Sequence, residues 1–426
     1  MLTEKSLRMA LGFVVTILLA RYLGAENFGI LSYCMALVAL WSFLPVLGLE
    51  TVVRRELALN PEAADTILST VARLRFGAAL LAGLLLAVLL WSQPVGENRE
   101  NLLLALLGLT LLQPAITVPE LYLQSRGLVR YSVTAMGLAA LVAAALRVGL
   151  IMAEAPLAWF GVPAIGEMVC AWLGLARYAK KEGLRWWCGG FSKGRAVSLL
   201  SESWPLLISG AAVLLYLKVD QVMLRYFCGA AEVGIYAAAV RLSEAVFFIP
   251  GAVMVALLPS WAGASRQGGD DYARYLQRVY DGLAALAYGF ALPVALLAGP
   301  LIRWLYGTAF AEAAAVLALH VWAGLFVFMG MARSQELNFA HANRITLWTT
   351  LAGALANVGL NLWLIPVYGA FGAALATVMS YALAIWVLAW LFSASRGSAK
   401  RQTVALLLPL LGWRYAKYAT DQKRRR

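Results

Sequence analysis

The chain has 426 residues, 62% of them hydrophobic and 13% charged, against about 45–50% and about 25% in soluble domains, so water is not its main solvent. Its net charge of +13 would suit nucleic acid only if the basic residues formed blocks, and they lie between apolar runs instead. Two histidines and four cysteines without a C-x-x-C pair argue against a zinc site, histidine-based catalysis and a disulfide framework.

A bilayer core needs roughly 20 apolar residues per helix, and runs of that length recur from Leu7 to Phe392. They are continuously apolar and rich in Leu and Ala, which excludes the alternating pattern of a β-barrel. The first run, from Leu7 to Tyr22, follows Lys5 and Arg8 and lacks a small-residue cleavage site, so it reads as an uncleaved span. In chain order the predicted spans are 8–22, 29–49, 76–92, 101–123, 132–152 and 157–178. A second set covers 203–225, 234–258, 279–301, 312–332, 345–365 and 370–392. The fold class is therefore an all-α membrane protein of about twelve transmembrane helices.

Between the sets lies a basic segment, 181–202, preceded by Arg177 and Lys180. It divides the chain into a six-helix lobe over 1–180 and another over 203–392, followed by a basic tail over 393–426. The lobes echo each other at an offset of about 205 residues. Ala20-Arg21-Tyr22 with Ala25 and Gly29-Ile30 returns as Leu224-Arg225-Tyr226 with Ala230 and Gly234-Ile235. Both copies join the first helix of their set to the second, so the repeat is parallel, related by an axis along the membrane normal. In the tail, residues 403–413 are apolar but too short to span. They read as an interfacial helix with Trp413, Tyr415 and Tyr418 at headgroup depth, or as a disordered basic tail.

Alternating the connections places most basic residues on one side, among them Arg54, Arg55, Arg73, Arg75, Arg126, Arg130, Lys180, Lys181, Arg266, Arg333 and Arg344. The other side receives Arg99 and Arg303 with Glu26, Glu97, Glu100, Glu154, Glu232 and Glu312. Positive loops collect in the cytoplasm, so both termini are expected there.

Ionisable groups within spans mark candidate functional residues, because each costs about 2.5–3.5 kcal/mol at mid-bilayer on insertion scales. Arg147, Lys218 and Arg241 are the candidate substrate-binding cations of a central cavity, since Arg and Lys suit an anionic cargo such as phosphate. Arg147 has no acidic neighbour at helical spacing in its own span. Asp220, Glu244 and Glu167 are candidates for ion coupling or for pairing, Arg241 and Glu244 being three apart on one face. Asn357 and Asn361, four apart, either hydrogen-bond across helices or face a lumen. Arg21 and Arg225 end their helices and could snorkel. No metal site and no cofactor is expected beyond H+ or Na+ as a coupling ion.

Three stretches carry a family resemblance: ARYLGAENFGILSY from Ala20, KVDQVMLRYFCGAAEVGIYAAAVRLSEAVFFIP from Lys218, and NVGLNLWLIPVYGAFGAALATVMSY from Asn357. They resemble the polysaccharide-biosynthesis transporters, the O-antigen and exopolysaccharide flippases of the superfamily that also holds multidrug extruders and lipid II flippases. The resemblance implies a MATE-like fold of two six-helix lobes working by alternating access. It implies as substrate an undecaprenyl-diphosphate-linked oligosaccharide moved to the periplasmic leaflet of the bacterial inner membrane, with glycan polymerase or export machinery as partner. No role of a family arginine is carried over to a position here. A cation-coupled drug extruder of the same fold is the first alternative. A glycan polymerase or ligase is disfavoured because the outer loops are short, and a non-transporting scaffold is a third alternative.

Overall fold

The computed structural model describes residues 2–92, 98–267 and 269–411, and every regular element among them is helical. Two compact units divide the chain: Met1–Ala237 with Leu305–Phe310, and Ala238–Trp304 with Ala311–Arg426. Among the described residues nine helices are long and apolar enough to cross a membrane. The number is ten if Arg99–Ile116 and Pro119–Ser125, bent by 41°, form one span. Two of the nine, Leu11–Leu59 and Asn343–Trp390, run for 49 and 48 residues, more than twice the roughly 20 that one crossing takes. Each holds a glycine with non-helical backbone, Gly24 at φ 71° and Gly369 at φ 53°. Two helices meet directly at each glycine, so continuous helices are fewer than apolar runs.

In the first unit α1 (Leu2–Trp41) is followed by α2 (Leu49–Leu59), α3 (Ala64–Ser92), α4 (Asn98–Gly108), α5 (Pro119–Ser125), α6 (Val129–Met152) and α7 (Val162–Lys181). Next come α8 (Lys193–Cys228) and the first turns of α9 (Ala230–Glu244). One of its cores joins Leu49, Val53, Ile67, Leu68, Val71 and Leu199, apolar side chains whose burial contributes about 1.5–3 kcal/mol each. The segment between α7 and α8 is laid along α3. The Asp65 carboxylate accepts from the Arg185 amide at 2.8 Å, Thr66 donates to the Gly189 carbonyl at 3.2 Å, and Ser69 donates to the Gly190 carbonyl. Ser192 then caps α8 by accepting from the Arg195 amide. The polar residues at the start of α3 thus serve the connecting segment, and α3 extends twelve residues ahead of the apolar run expected at 76–92.

The second unit contains the rest of α9, α10 (Phe248–Gln267), α11 (Gly269–Leu296), α12 (Ala298–Tyr306), α13 (Ala313–His320), α14 (Ala323–Phe339), α15 (Asn343–Ala382) and α16 (Arg396–Leu406). Trp261, Tyr280, Phe328 and Met329 form its core, with Trp261 stacked on Phe339 at 6.1 Å. A π-helical turn, Leu383–Val387, follows α15. Arg333, expected in a cytoplasmic loop, lies inside α14 at 3% exposure. It donates to the carbonyls of Ala384 at 2.8 Å and Ile385 at 2.7 Å and to the Thr349 hydroxyl. A π turn leaves carbonyls outside the i→i+4 pattern, and the guanidinium takes them up. α16 docks on α11, where Tyr288 donates to the Leu406 carbonyl at 2.8 Å. The expected interfacial segment begins within α16, while Trp413, Tyr415 and Tyr418 lie outside the described residues, as does Glu97 of the outer loops.

Exposed aromatic residues lie near both ends of the apolar runs: Trp91 is 91% exposed, Tyr226 80% and Trp304 74%, while Trp348 at 61% and Trp204 at 57% stand beside the basic connections. Indole and phenol rings favour the headgroup level of a bilayer.

Candidate functional site

A cavity of about 520 Å³ opens within the first unit, bounded by α1, α3, α6, α7 and the broken helix between α4 and α5. Its charged and amide lining comprises Glu50, Arg75, Gln113, Glu120, Arg147 and Glu167, with the hydroxyls of Ser42, Thr110 and Thr117 between them. Two guanidinium groups face three carboxylates, so the lining is mixed in charge.

The two arginines are held differently. Arg75 is 3% exposed and donates to the Pro114 carbonyl at 3.1 Å and the Val46 carbonyl at 3.4 Å. Val46 precedes a left-handed break at Leu47 and Gly48, and Pro114 sits in a single helical turn before Pro119. Helix ends leave such carbonyls without an intrahelical donor, and Arg75 satisfies both. Its place ahead of the apolar run predicts a loop, whereas Ile67, Leu68, Val71 and Ala72, buried at helical spacing ahead of it, carry the signal of a helix.

Arg147 is half-buried on the cavity wall, with its Nη2 3.9 Å from Glu167 Oε2; their side chains are 26% and 39% exposed. The expectation that Arg147 lacks an acidic neighbour holds within α6 only, because α7 brings Glu167 opposite. At 3.9 Å with solvent access, the pair is a weak one, worth up to about 1 kcal/mol. Glu120 accepts from Gln124 at 2.9 Å and Ser132 at 2.8 Å, and Arg54 donates to Gln124 at 3.0 Å. That chain of side chains fixes the Glu120 carboxylate, while Glu50 is exposed.

Of the residues singled out in the sequence, Arg147 and Glu167 line this cavity. Lys218 is half-buried on α8, and Asp220 is buried beside it, accepting from the Tyr236 hydroxyl of α9 and the Gln221 amide at 2.7 Å. Asp220 therefore ties α8 to α9. Arg241 is exposed on α9 in the second unit, and Glu244 ends that helix. Asn357 and Asn361 are both 0% exposed; Asn361 donates to Asn357 at 3.0 Å and Asn357 to Ser380 at 3.2 Å. Of the two roles open to them, they bond across the two arms of α15. Arg225, expected to snorkel, is bridged to Glu100 at 2.9 and 3.1 Å. Among the described residues no cluster of three or more His, Cys, Asp or Glu could hold a metal.

A model of a family described as polysaccharide biosynthesis protein matches residues 1–262. Among curated proteins no sequence matches the chain. A solved lipid II flippase, MurJ, in an inward closed conformation is similar at TM-score 0.69 and 15% identity, over 98% of this chain and 92% of that one. An inward-facing multidrug resistance MATE family transporter of the MOP superfamily aligns at TM-score 0.68 and 15% identity, over 94% and 95%. An outward-facing one of the same description gives 0.61 and 14% identity, over 95% of each chain. At such identities the likeness is one of fold.

Proposed function

The chain belongs to the polysaccharide biosynthesis protein family, and from that premise we propose that it is a flippase for an undecaprenyl-diphosphate-linked oligosaccharide. The cargo passes from the cytoplasmic to the periplasmic leaflet of a bacterial inner membrane, for use by glycan polymerising or exporting machinery. The chain crosses twelve times in two six-helix lobes, with both termini cytoplasmic and a basic connection between the lobes. A sugar head and a diphosphate cannot enter hydrocarbon unaided, since each unpaired polar group costs several kcal/mol there.

The observation that carries the reading is the Arg147–Glu167 pair, set on the wall of a polar cavity by two helices apolar enough to span. Arg147 offers a planar fork of donors that matches a phosphate. The carboxylates and Gln113 offer acceptors and an amide to sugar hydroxyls, for which a purely cationic wall would be poorer. Lys218, half-buried on α8, is a further candidate contact for the anionic head, and H+ or Na+ is the coupling ion.

Deletion of the gene followed by glycolipid analysis tests the assignment. A lipid-linked repeat unit accumulating on the cytoplasmic leaflet, with loss of surface glycan, supports it. Drug sensitivity with intact glycans instead supports an extruder of the same fold, the reading that the three cavity carboxylates favour.

Glu167 competes with the cargo for Arg147. In purified Glu167→Gln protein, equilibrium binding of a polyprenyl diphosphate is expected to tighten by up to about fivefold, the equivalent of one solvent-accessible ion pair. Unchanged or weaker binding would remove Glu167 from this role.

A further inference from the structure

The basic segment between α7 and α8 is pinned to α3 by its backbone. Besides the bonds made by Asp65, Thr66 and Ser69, the Ser192 amide donates to the Thr70 hydroxyl at 3.2 Å. A Cβ added to Gly189 would lie 2.3 Å from the Asp65 carbonyl oxygen, so no side chain fits between the two strands of chain at that point. The segment is held close, and its side chains are displayed in fixed directions.

Two of them turn inward: Leu184 and Trp186 pack against the core of Leu49 and Ile67. Trp187 and Phe191 turn outward, 40% and 49% exposed, and Arg73 and Lys193 are exposed as well. The Trp187 ring meets Phe76 edge-on at 5.9 Å, and Arg73 donates to the Trp187 carbonyl at 3.5 Å. Phe76 opens the apolar run of α3, so Trp187 stands where that helix enters hydrocarbon. Arg73, and Thr70 with the Ser192 that precedes Lys193, come about 5 and about 9 Å earlier along the helix at 1.5 Å per residue. That is the depth of the headgroup layer.

The acids nearby are engaged. Asp65 accepts from the Arg185 amide, Glu56 pairs with Arg195 at 3.4 Å and Glu202 with Arg55 at 2.6 Å. Within 182–192 only Glu182 is acidic. Among the described residues neither Arg73 nor Lys193 is in an ion pair. Arg75, two residues beyond Arg73, is turned about 200° round the helix into the cavity wall, so this basic and aromatic surface lies outside the cavity.

We infer that the connecting segment and the start of α3 form a binding surface for anionic phospholipid, in the leaflet beside the basic connections. The phosphodiester rests on Arg73 and Lys193, and the glycerol and upper acyl chains lie against Trp187 and Phe191. A zwitterionic lipid carries the same phosphate with an ammonium group beside it, which two cations repel. Charge therefore sets the choice of lipid.

Cys188, free and exposed beside Trp187, takes the label that tests this. Full-length protein with Cys34, Cys170 and Cys228 replaced by alanine carries a fluorophore there, in phosphatidylcholine vesicles. They contain an equal minor fraction of either phosphatidylglycerol or phosphatidylcholine, spin-labelled near the top of the acyl chain. Quenching is expected to show about tenfold enrichment of phosphatidylglycerol, the order that two basic groups near an anionic surface supply. The preference should fall with added salt and disappear in Arg73→Gln with Lys193→Gln. Equal quenching by the two lipids, or an undiminished preference in the double variant, would overturn the surface. If that variant is poorly produced the salt response decides, and a preference that persists at high salt counts against the proposal. A polyprenyl diphosphate added in trace amount separates the sources: a preference that survives it supports phospholipid, and one that it abolishes makes the surface a loading site for cargo instead. The measurement needs no transport, so its outcome is independent of the flippase assignment.

Discussion

Replacing Arg147 by alanine is expected to abolish surface-glycan export while leaving the protein in the membrane at parental abundance. Its guanidinium is half-buried on the cavity wall, 3.9 Å from Glu167, and a solvent-accessible pair of that kind contributes up to about 1 kcal/mol. Its contact with a diphosphate in a cavity of low dielectric is a charge-assisted one, worth about 2–4 kcal/mol, or on the order of 30- to 1,000-fold in affinity. Arg147→Lys keeps the charge and loses the fork, and should export at an intermediate rate. Export assayed with quantitative immunoblotting of membranes separates the two effects. Parental export from Arg147→Ala would take this residue out of the binding site.

The opposite profile is expected for Arg333→Ala: loss of the protein itself. Arg333 is 3% exposed and its guanidinium holds two carbonyls of the π turn and the Thr349 hydroxyl. Without it, two buried acceptors lose their donors, each at about 1–3 kcal/mol. The sum, about 2–6 kcal/mol, is a large fraction of the 5–15 kcal/mol that keeps a domain folded. A thermal melt in detergent should show a midpoint several degrees lower, with reduced yield from cells. A melt identical to the parent's would mean that the π turn holds without the guanidinium.

The comparison of these arginines shows what a sequence discloses in a membrane protein. The all-helical membrane fold was legible, because hydrocarbon imposes length and composition on every crossing; Gly24 and Gly229 show one backbone shape twice. Arg75 and Arg333 were not. Both looked like loop residues beside apolar runs, but their helices extend past the runs, since polar side chains in the first turns of α3 are satisfied by the segment 182–192 and the end of α14 is covered by the π turn. The pairing of Arg147 with Glu167, and of Arg225 with Glu100, depends on the register of one helix against another. Spacing along a single helix carries no information about that register, so charge alone grouped Arg147 with Lys218 and Arg241, which the fold places on different elements.

The meeting of Ala25 and Gly29 with Ala230 and Gly234 has the form of an isologous interface: each member of one pair touches the opposite member of the other. Homodimers with a twofold axis are built on contacts of this form, and here both patches are carried by one polypeptide. Each copy of the small-residue patch is complementary to the other, so a side chain added to either one is met by the backbone of its counterpart.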